Sequence, residues 1–563
     1  MGKSDYPVRE LVAKIERGEL QLPEMQRKYV WTSTKVRDLL DSLYREYPSG
    51  VILTWQPAAT VETRAFAVAT NSEPVTAPLL LLDGQQRLTS LSAVLRGEPV
   101  TVKNRKRPVE ILFNLDHPDE LTFITEVAED NDSHEDADDA DDVDSDLITR
   151  VNRRAFVVAS NQVAALPNWV KVTDVFKKSD SELLKAAGVT GFDDPNYERY
   201  SARLKQLRSI ADYSYRVDIL EPSKSYEEVT EIFVRVNSLG AKLRSSDLAL
   251  AQITAKWNGS LALFNAYQAE VAQRGFDLDL GVHLKTLIAI ITGQSRFLTV
   301  ASMTQPTLED GWKRTKRAMD FAVNFAQQNI GVDSPTLLSS PFLMIATAYW
   351  GAQMDYKITD SDAAAFRKWF LLANAKGRYS RGSTETLLDQ DLAALRSDDK
   401  IGGLNQRLVQ QVGRLDFTAA DLVGRTARSG AFKTMFLAFR ADGAKDWATN
   451  LLISPKLAGH ADKIEFHHVF PKAYMKKARP DVDGRDVDDI ANLAFISSKT
   501  NKDISAKAPA DYAPKYSKEQ LAKQLVVFDD TNAVPEGFEK FVTQRRELIA
   551  ARLNEFLGAA ESQ

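Results

Sequence analysis

Apolar positions recur at helical spacing near the start of the chain. Pro7–Gly18 carries one such stripe. Ser33–Tyr47 carries another through Val36, Leu39, Leu40 and Leu43, with Ser33 or Thr34 as N-cap, so both segments are predicted helices. Short apolar runs at Gly50–Trp55 and Leu79–Leu82, and alternation over Tyr213–Leu220, predict strands, and Tyr226–Val236 predicts a further helix. Helical periodicity then dominates: Leu248–Trp257, His283–Thr292, Ala318–Gln328, Leu337–Gln353 and Asp362–Asn374. The pattern changes again near the end. Lys463–Phe470 and Leu493–Ile496 read as two short strands, and Ser497 or Ser498 caps a helix carrying Asn501 and Ser505, before charged helices run to Gln563. These elements predict a multidomain α+β chain: a mixed α/β domain over 1–255, an all-α middle domain over 256–425, and a helical C-terminal domain over 426–563 built around the strand–strand–helix unit. No internal repeat or heptad array stands out.

Composition narrows this picture. The 563 residues, 44% hydrophobic and 26% charged, are enough for several globular cores. The absence of cysteine excludes disulfides, zinc ribbons and iron–sulfur clusters. Met1–Glu10 has no apolar h-region, and the most apolar helical stretch, Phe342–Trp350, is too short to cross a bilayer. The expectation is a cytoplasmic protein with no membrane partner. Residues 129–146 hold eleven acids and no Lys or Arg, so the rest of the chain carries +6 against −5 overall. That stretch reads as a solvated insertion, more simply an inert loop than a mimic of a phosphate backbone. The remainder is basic enough to meet a nucleic acid.

Three of the six histidines, His460, His467 and His468, lie within nine positions. His467 and His468 are adjacent on a predicted strand and so face opposite sides of it. One can hold a divalent cation while the other stays free as a base. Asn492 follows 24 residues after His468 and Asn501 nine later. Hydrolysis of a phosphodiester needs a general base, a cation for the charge developing on phosphorus and the leaving oxygen, and a group that fixes the base's tautomer. The expected roles are His468 as base, His467 and Asn501 as cation ligands, and Asn492 as orienter through its amide or its backbone carbonyl. His460 lies outside the pattern and reads as an exposed loop residue.

A second polar cluster follows the Leu79–Leu82 strand: Asp83-Gly84-Gln85-Gln86-Arg87, then a helix with Leu88, Leu91 and Leu95 on one face. A strand, a polar turn and a helix N-terminus make a phosphate cradle, with Arg87 as the cation. The alternative is a capped turn closed by an Arg salt bridge. Two further segments are polar within loop-like surroundings, Leu22–Trp31 with Gln26 and Arg27, and Ile232–Gly240 with Arg235 and Asn237. Trp31 and Phe233 read as core rather than as stacking platforms.

These motifs carry a resemblance. His467-His468-Val469-Phe470-Pro471, Ala491-Asn492-Leu493, and Asn501 with Lys502 and Lys507 resemble the HNH (ββα-metal) nucleases. The nearest variant is the C-terminal nuclease domain of the GmrSD-type, modification-dependent (type IV) restriction enzymes. The Pro-x-x-Gln-Arg-x-Tyr-x-Trp segment, the Asp-Gly-Gln-Gln-Arg box and the Phe-x-Arg-x-Asn-x-x-Gly segment resemble the ParB/sulfiredoxin-like N-terminal domain of the same family. The resemblance implies that Asp83, Gly84, Gln85, Gln86 and Arg87 contact the phosphates of a nucleoside triphosphate, GTP or ATP, and their metal, with Gln26, Arg27, Arg235 and Asn237 completing the pocket. There is no Gly-x-x-x-x-Gly-Lys-Ser/Thr loop, so nucleotide hydrolysis would have to use the box. An Asn rather than a His as the last ligand favours Mg²⁺ or Mn²⁺ over Zn²⁺. The implied protein is a nucleotide-regulated endonuclease of bacterial anti-phage defence that acts on DNA, with room for a homo-oligomer. The alternatives are a DNA-modification sensor or regulatory module with an inactive nuclease, and an NTPase acting on nucleotide pools. Lys103–Arg107 and Lys472–Lys477 are either DNA contacts or solvated faces.

Overall fold

The computed structural model describes residues 2–23, 31–57, 63–64, 78–100, 108–119, 151–224, 228–233, 245–380, 382–454, 464–529 and 531–558. It divides into two compact units, Met1–Gly259 and Ser260–Gln563. The first is mixed α/β and the second mainly helical. Among the described residues no helix is long and apolar enough to cross a membrane. The acidic stretch 129–146 and Lys103–Arg107 fall outside them.

The first unit is organised by a six-stranded sheet. Its strands are β1 Gly2–Pro7, β2 Leu20–Pro23, β3 Ile52–Trp55, β4 Thr63–Arg64, β5 Leu79–Asp83 and β9 Ser214–Leu220. They lie in the order β1–β9–β3–β5–β2–β4. β5 runs parallel to β2 and antiparallel to β3, and β3 runs parallel to β9. Helices α1 (Val8–Glu16), α2 (Ser33–Tyr44) and α3 (Gln85–Leu95) pack one core through Leu11, Ile15, Leu40, Leu88 and Leu91, against Ile52 and Leu81 of the sheet. Leu80, Leu82, Leu53 and Trp55 point the other way, onto Val229, Phe233 and Ala251. A strand buried on both faces has no solvent side to alternate with, hence the unbroken leucines of β5. Phe233 is core, and Trp31 packs half-buried against the first cluster.

Two parts of this unit escape the periodicity. β1, antiparallel to β9, is polar and largely exposed, as an edge strand commonly is. A second sheet is made of β6 Ile111–Asn114, β7 Phe156–Val158 and β8 Trp169–Lys171, each too short to show a period, with β6 in the centre.

In the second unit the expected helices are present with shifted ends. Gln305–Phe325 begins well before Ala318, with Pro306 in its first turn, where no amide is needed. Leu337 ends a separate 3₁₀ turn, because Pro341 at the N-cap restarts the chain as the helix Phe342–Gln353. Arg378 and Asp391, both buried, meet through two contacts of 2.9 and 3.0 Å, and Tyr379 donates to the same carboxylate at 2.6 Å. The pair is buried with its charges answered.

His283, on the apolar helix Leu280–Thr292, is wholly buried, and neither ring nitrogen has a hydrogen-bond partner among the described residues. Tyr267 meets it edge-on at 5.7 Å. Burial pulls its pKa down from 6.5 to about 4. The unfolded chain therefore takes up a proton below about 6.5 that the folded chain refuses. Stability from this group is fully present above that pH and is lost as pH falls toward 4, by up to roughly 3 kcal/mol. Replacing His283 by Met should flatten that acid limb, so that the fall in Tm between pH 7.5 and 4.5 shrinks; an unchanged fall would show that His283 does not drive it.

Candidate functional site

Strands β10 (Ile464–His468) and β11 (Leu493–Ser497) pair antiparallel, with Phe466 opposite Phe495 and His468 opposite Leu493. The helix Ser498–Ile504 follows at once, its N-terminus capped by Ser497, whose hydroxyl accepts from Thr500 N–H at 3.2 Å. Alternation along β10 places Glu465 and His467 on one face and Phe466 and His468 on the other. The capped helix brings Asn501 to the Glu465–His467 face. Asn501 Oδ1 lies 2.8 Å from His467 Nδ1, and Asn501 Nδ2 donates to Glu465 Oε2 at 3.0 Å. An ionised carboxylate only accepts, so Glu465 turns the amide nitrogen toward itself and the amide oxygen toward the imidazole. Ser505, expected on this helix, lies just past its end, at φ +51°.

His467 is only 3% exposed and is flanked edge-on by Trp447 at 6.0 Å and Tyr512 at 5.8 Å. Its Nε2 has no hydrogen-bond partner among the described residues. Burial drives its pKa down to about 4 against the opposing hydrogen bond of Asn501, so the ring is neutral at physiological pH. His468 sits in wetter surroundings. Its Nε2 is 2.8 Å from Asp488 Oδ1, and Lys472 Nζ is 2.8 Å from the same oxygen. Burial lowers the pKa of His468, while Asp488 pulls the other way. Burial raises Asp488, but hydrogen bonds from Lys472 and His468 outweigh it and hold the carboxyl below its usual range.

Asn492 is fully buried. Its Oδ1 accepts from Phe470 N–H at 2.8 Å, and its Nδ2 donates to Phe470 O at 3.1 Å and Val487 O at 2.9 Å. Its backbone carbonyl accepts from Val469 N–H at 2.7 Å. All of these bonds go to main chain, and none reaches the His468 ring. The carboxylate on that ring belongs to Asp488, which the sequence pattern did not single out. The other acids around the site were equally hidden. Asp489, buried, accepts from Gly424 N–H, Ala491 N–H and Arg546; Asp446, buried, accepts from Ser497 N–H at 2.6 Å and Thr500 Oγ1 at 2.9 Å. The available signal was the Asp488-Asp489 pair immediately before the asparagine turn. His460 falls outside the described residues.

With Asn501 Oδ1 turned toward the ring, His467 Nδ1 donates its hydrogen there and Nε2 is the ring's bare nitrogen. Among the described residues no cluster of three or more His, Cys, Asp or Glu side chains could hold a metal. A cation here would meet one imidazole and one amide oxygen, with Glu465 behind the amide.

In the first unit, Asp83 ends β5, Gly84 turns at φ +103°, and α3 starts at Gln85. A Cβ on Gly84 would run into Ile52, so only glycine fits. Gln85 and Gln86 are buried; Gln86 Oε1 accepts from Trp31 N–H at 3.1 Å, while Gln85 Oε1 has no partner among the described residues. Arg87 donates to Ser49 O at 2.6 Å, Val51 O at 2.9 Å and Asp83 Oδ2 at 3.0 Å. Its guanidinium is thus tied to the chain entering β3 and to the box's own aspartate. Gln26, Arg27, Arg235 and Asn237 lie outside the described residues.

If Asn492 is the fastener of the site, Asn492→Ala strands buried backbone groups and should lower the stability of the second unit by on the order of 2–4 kcal/mol. The urea midpoint followed by a probe in that unit reports this, and a midpoint equal to wild type would rule the role out.

Two comparisons bear on what such a site does. An uncharacterized protein of Methanocaldococcus jannaschii is 24% identical over 559 residues, spanning 94% of this chain and 89% of the relative. Residues 8–254 match the family model of the GmrSD restriction endonuclease, N-terminal domain, which suggests a nuclease of the restriction type with DNA as its substrate.

Proposed function

We propose that this chain is a nucleotide-regulated DNA endonuclease that hydrolyses phosphodiesters at the β10–β11–helix site. The observation that carries the reading is the division of two adjacent imidazoles: His467 is held dry against Asn501, and His468 is held on the opposite face in reach of solvent. His467 and Asn501 are the residues that would hold Mg²⁺ or Mn²⁺. When bound there, such an ion stabilises the charge developing on phosphate and leaving oxygen. His468, with its pKa lowered by burial, is neutral at physiological pH and takes the proton of the attacking water. Asn492 keeps the end of β10 at a fixed place, and so keeps the base there too.

The second element of the reading is a GTP or ATP site at the β5–α3 turn. The N-terminus of α3 lies at this turn, and the buried carbonyl of Gln85, without a partner among the described residues, offers an acceptor beside it. Asp83, Gly84 and Gln86 shape the turn, Arg87 ties it to the neighbouring strand, and Gln26, Arg27, Arg235 and Asn237 complete the pocket as the family resemblance implies. The family match over 8–254 supports a shared design for this unit. Nucleotide turnover there would gate cutting.

Two experiments test these readings. With Mg²⁺ or Mn²⁺, wild type should cleave plasmid or phage DNA, and His468→Ala should be slower by roughly 10²-fold or more; Asn501→Ala should also weaken Mn²⁺ binding measured by calorimetry. Equal cutting by wild type and His468→Ala, or none by wild type on modified and unmodified DNA, would sink the nuclease and favour a modification sensor. Separately, Gln86→Ala should alter how the cutting rate responds to nucleotide while Mn²⁺ affinity stays at the wild-type value. The same nucleotide response in both proteins would reject the coupling.

A further inference from the structure

We propose that Asp488 is a positioning residue for His468: its carboxylate accepts the Nε2–H hydrogen bond and so leaves the Nδ1 lone pair as the atom that deprotonates water. The inference rests on the nuclease reading and adds to it the identity of the working nitrogen.

Hydrogen-bond capacity fixes the tautomer. Asp488 Oδ1 lies 2.8 Å from His468 Nε2. The Lys472 ammonium, 2.8 Å from the same oxygen, favours the ionised carboxylate. An ionised carboxylate can only accept, so Nε2 must carry a hydrogen. A neutral imidazole has a single N–H, so Nδ1 is bare.

The placement of this pair is built into the chain. Asp488 directly follows the short helix Gly484–Val487. On its N-terminal side the Val487 carbonyl is held by Asn492 Nδ2 at 2.9 Å. On its C-terminal side Asp489 is held by Arg546 at 2.8 Å and by Gly424 N–H at 2.9 Å. The same Asn492 side chain holds Phe470, two residues after His468. One amide therefore links the segment that carries the imidazole to the segment that carries the carboxylate. An ordinary surface ion pair of Asp488 with Lys472 would need none of this bracing.

In the reaction the water O–H bond breaks and its proton passes to Nδ1. The oxygen's electron pair forms the new P–O bond, and the bond to the leaving oxygen breaks, that oxygen taking a proton from solvent. The imidazolium keeps its Nε2–H on Asp488, which stays ionised throughout, and returns the Nδ1 proton to solvent.

The test uses the full chain labelled with ¹⁵N-histidine. There are six histidines, so the His468 signals can be assigned by their loss in His468→Ala. At pH 8 wild type should show His468 as the Nε2–H tautomer, and Asp488→Ala should shift it toward Nδ1–H or a mixture. In cleavage assays Asp488→Ala should lower kcat by at least about tenfold with KM little changed, and Asp488→Glu should recover part of the loss. Asp488→Asn keeps shape and an acceptor oxygen. It should keep the wild-type tautomer with a reduced kcat, and it serves as the folded control if Asp488→Ala shows a lowered urea midpoint. An unchanged tautomer in Asp488→Ala, or kcat at the wild-type value, overturns the proposal. If wild type itself cuts nothing, the nuclease reading fails, yet the tautomer comparison still decides whether Asp488 places the proton.

Discussion

Asn492 uses its side-chain carbonyl on the Phe470 N–H and its amino group on the Phe470 and Val487 carbonyls, so the chain leaving β10 and the turn entering β11 are held at one separation. Only a carboxamide has an acceptor and two donors on so short a stem. An aspartate could not donate, and an apolar side chain would leave three buried backbone groups without this partner, on the order of 2–4 kcal/mol together. The low local dielectric sharpens both the gain of the satisfied network and the cost of breaking it. The residue type follows from this demand alone, before any chemistry is considered. The wall behind it comes from the last helix, Phe538–Leu557, where Arg545 donates to Ala491 O at 2.7 Å and Arg546 grips Asp489. The two strands and the short helix are thus a small motif set in a frame of charges far away in sequence.

The turn after β5 obeys a similar logic with different parts. Gly84 allows the positive φ that lets α3 start directly at the sheet edge, and Gly50, at φ +96°, leaves room for the Arg87 guanidinium that closes the turn. Arg87 lies over the Tyr215 ring and holds two carbonyls and Asp83. Its charge is engaged within the fold, whereas Gln85 keeps a buried carbonyl oxygen unanswered among the described residues. At this turn the glutamine, more than the arginine, has capacity left for a ligand.

Legibility in the sequence followed the reach of each interaction. β10, β11 and the capped helix were readable because each is declared locally, by alternation or by a serine cap, and Asn501 falls one turn into that helix. The strand β5 was readable as a run of leucines, and its burial on both faces came from the structure. The edge strand Gly2–Pro7 and the short strands of the second sheet were not, since their pairing is decided by partners elsewhere in the chain. The helix Gln305–Phe325 was seen only in its apolar half, because its first turns bury only Leu308, Gly311, Trp312 and Thr315 between charged, exposed positions. Asp488, Asp489 and Asp446 were hidden for another reason. Acids near a turn look like surface residues in sequence, and only the arrival of Arg546, Ser497 N–H or His468 Nε2 shows otherwise.

The separation of roles between His467 and His468 needs no difference in the residues themselves. Strand alternation sends one ring toward Trp447 and Tyr512 and the other toward Asp488 and Lys472. On the aromatic side a proton has no favourable place on Nε2, so that ring stays neutral. On the carboxylate side Asp488 offsets part of what burial costs a positive ring. Two identical imidazoles one position apart are thereby driven to opposite uses by their environments. Exchanging the environments through a one-residue slip of β10 against β11 would swap those uses while leaving the composition of the site untouched. The Asn492 O to Val469 N–H bond at the end of the ladder opposes that slip, so register and chemistry are secured by the same residue.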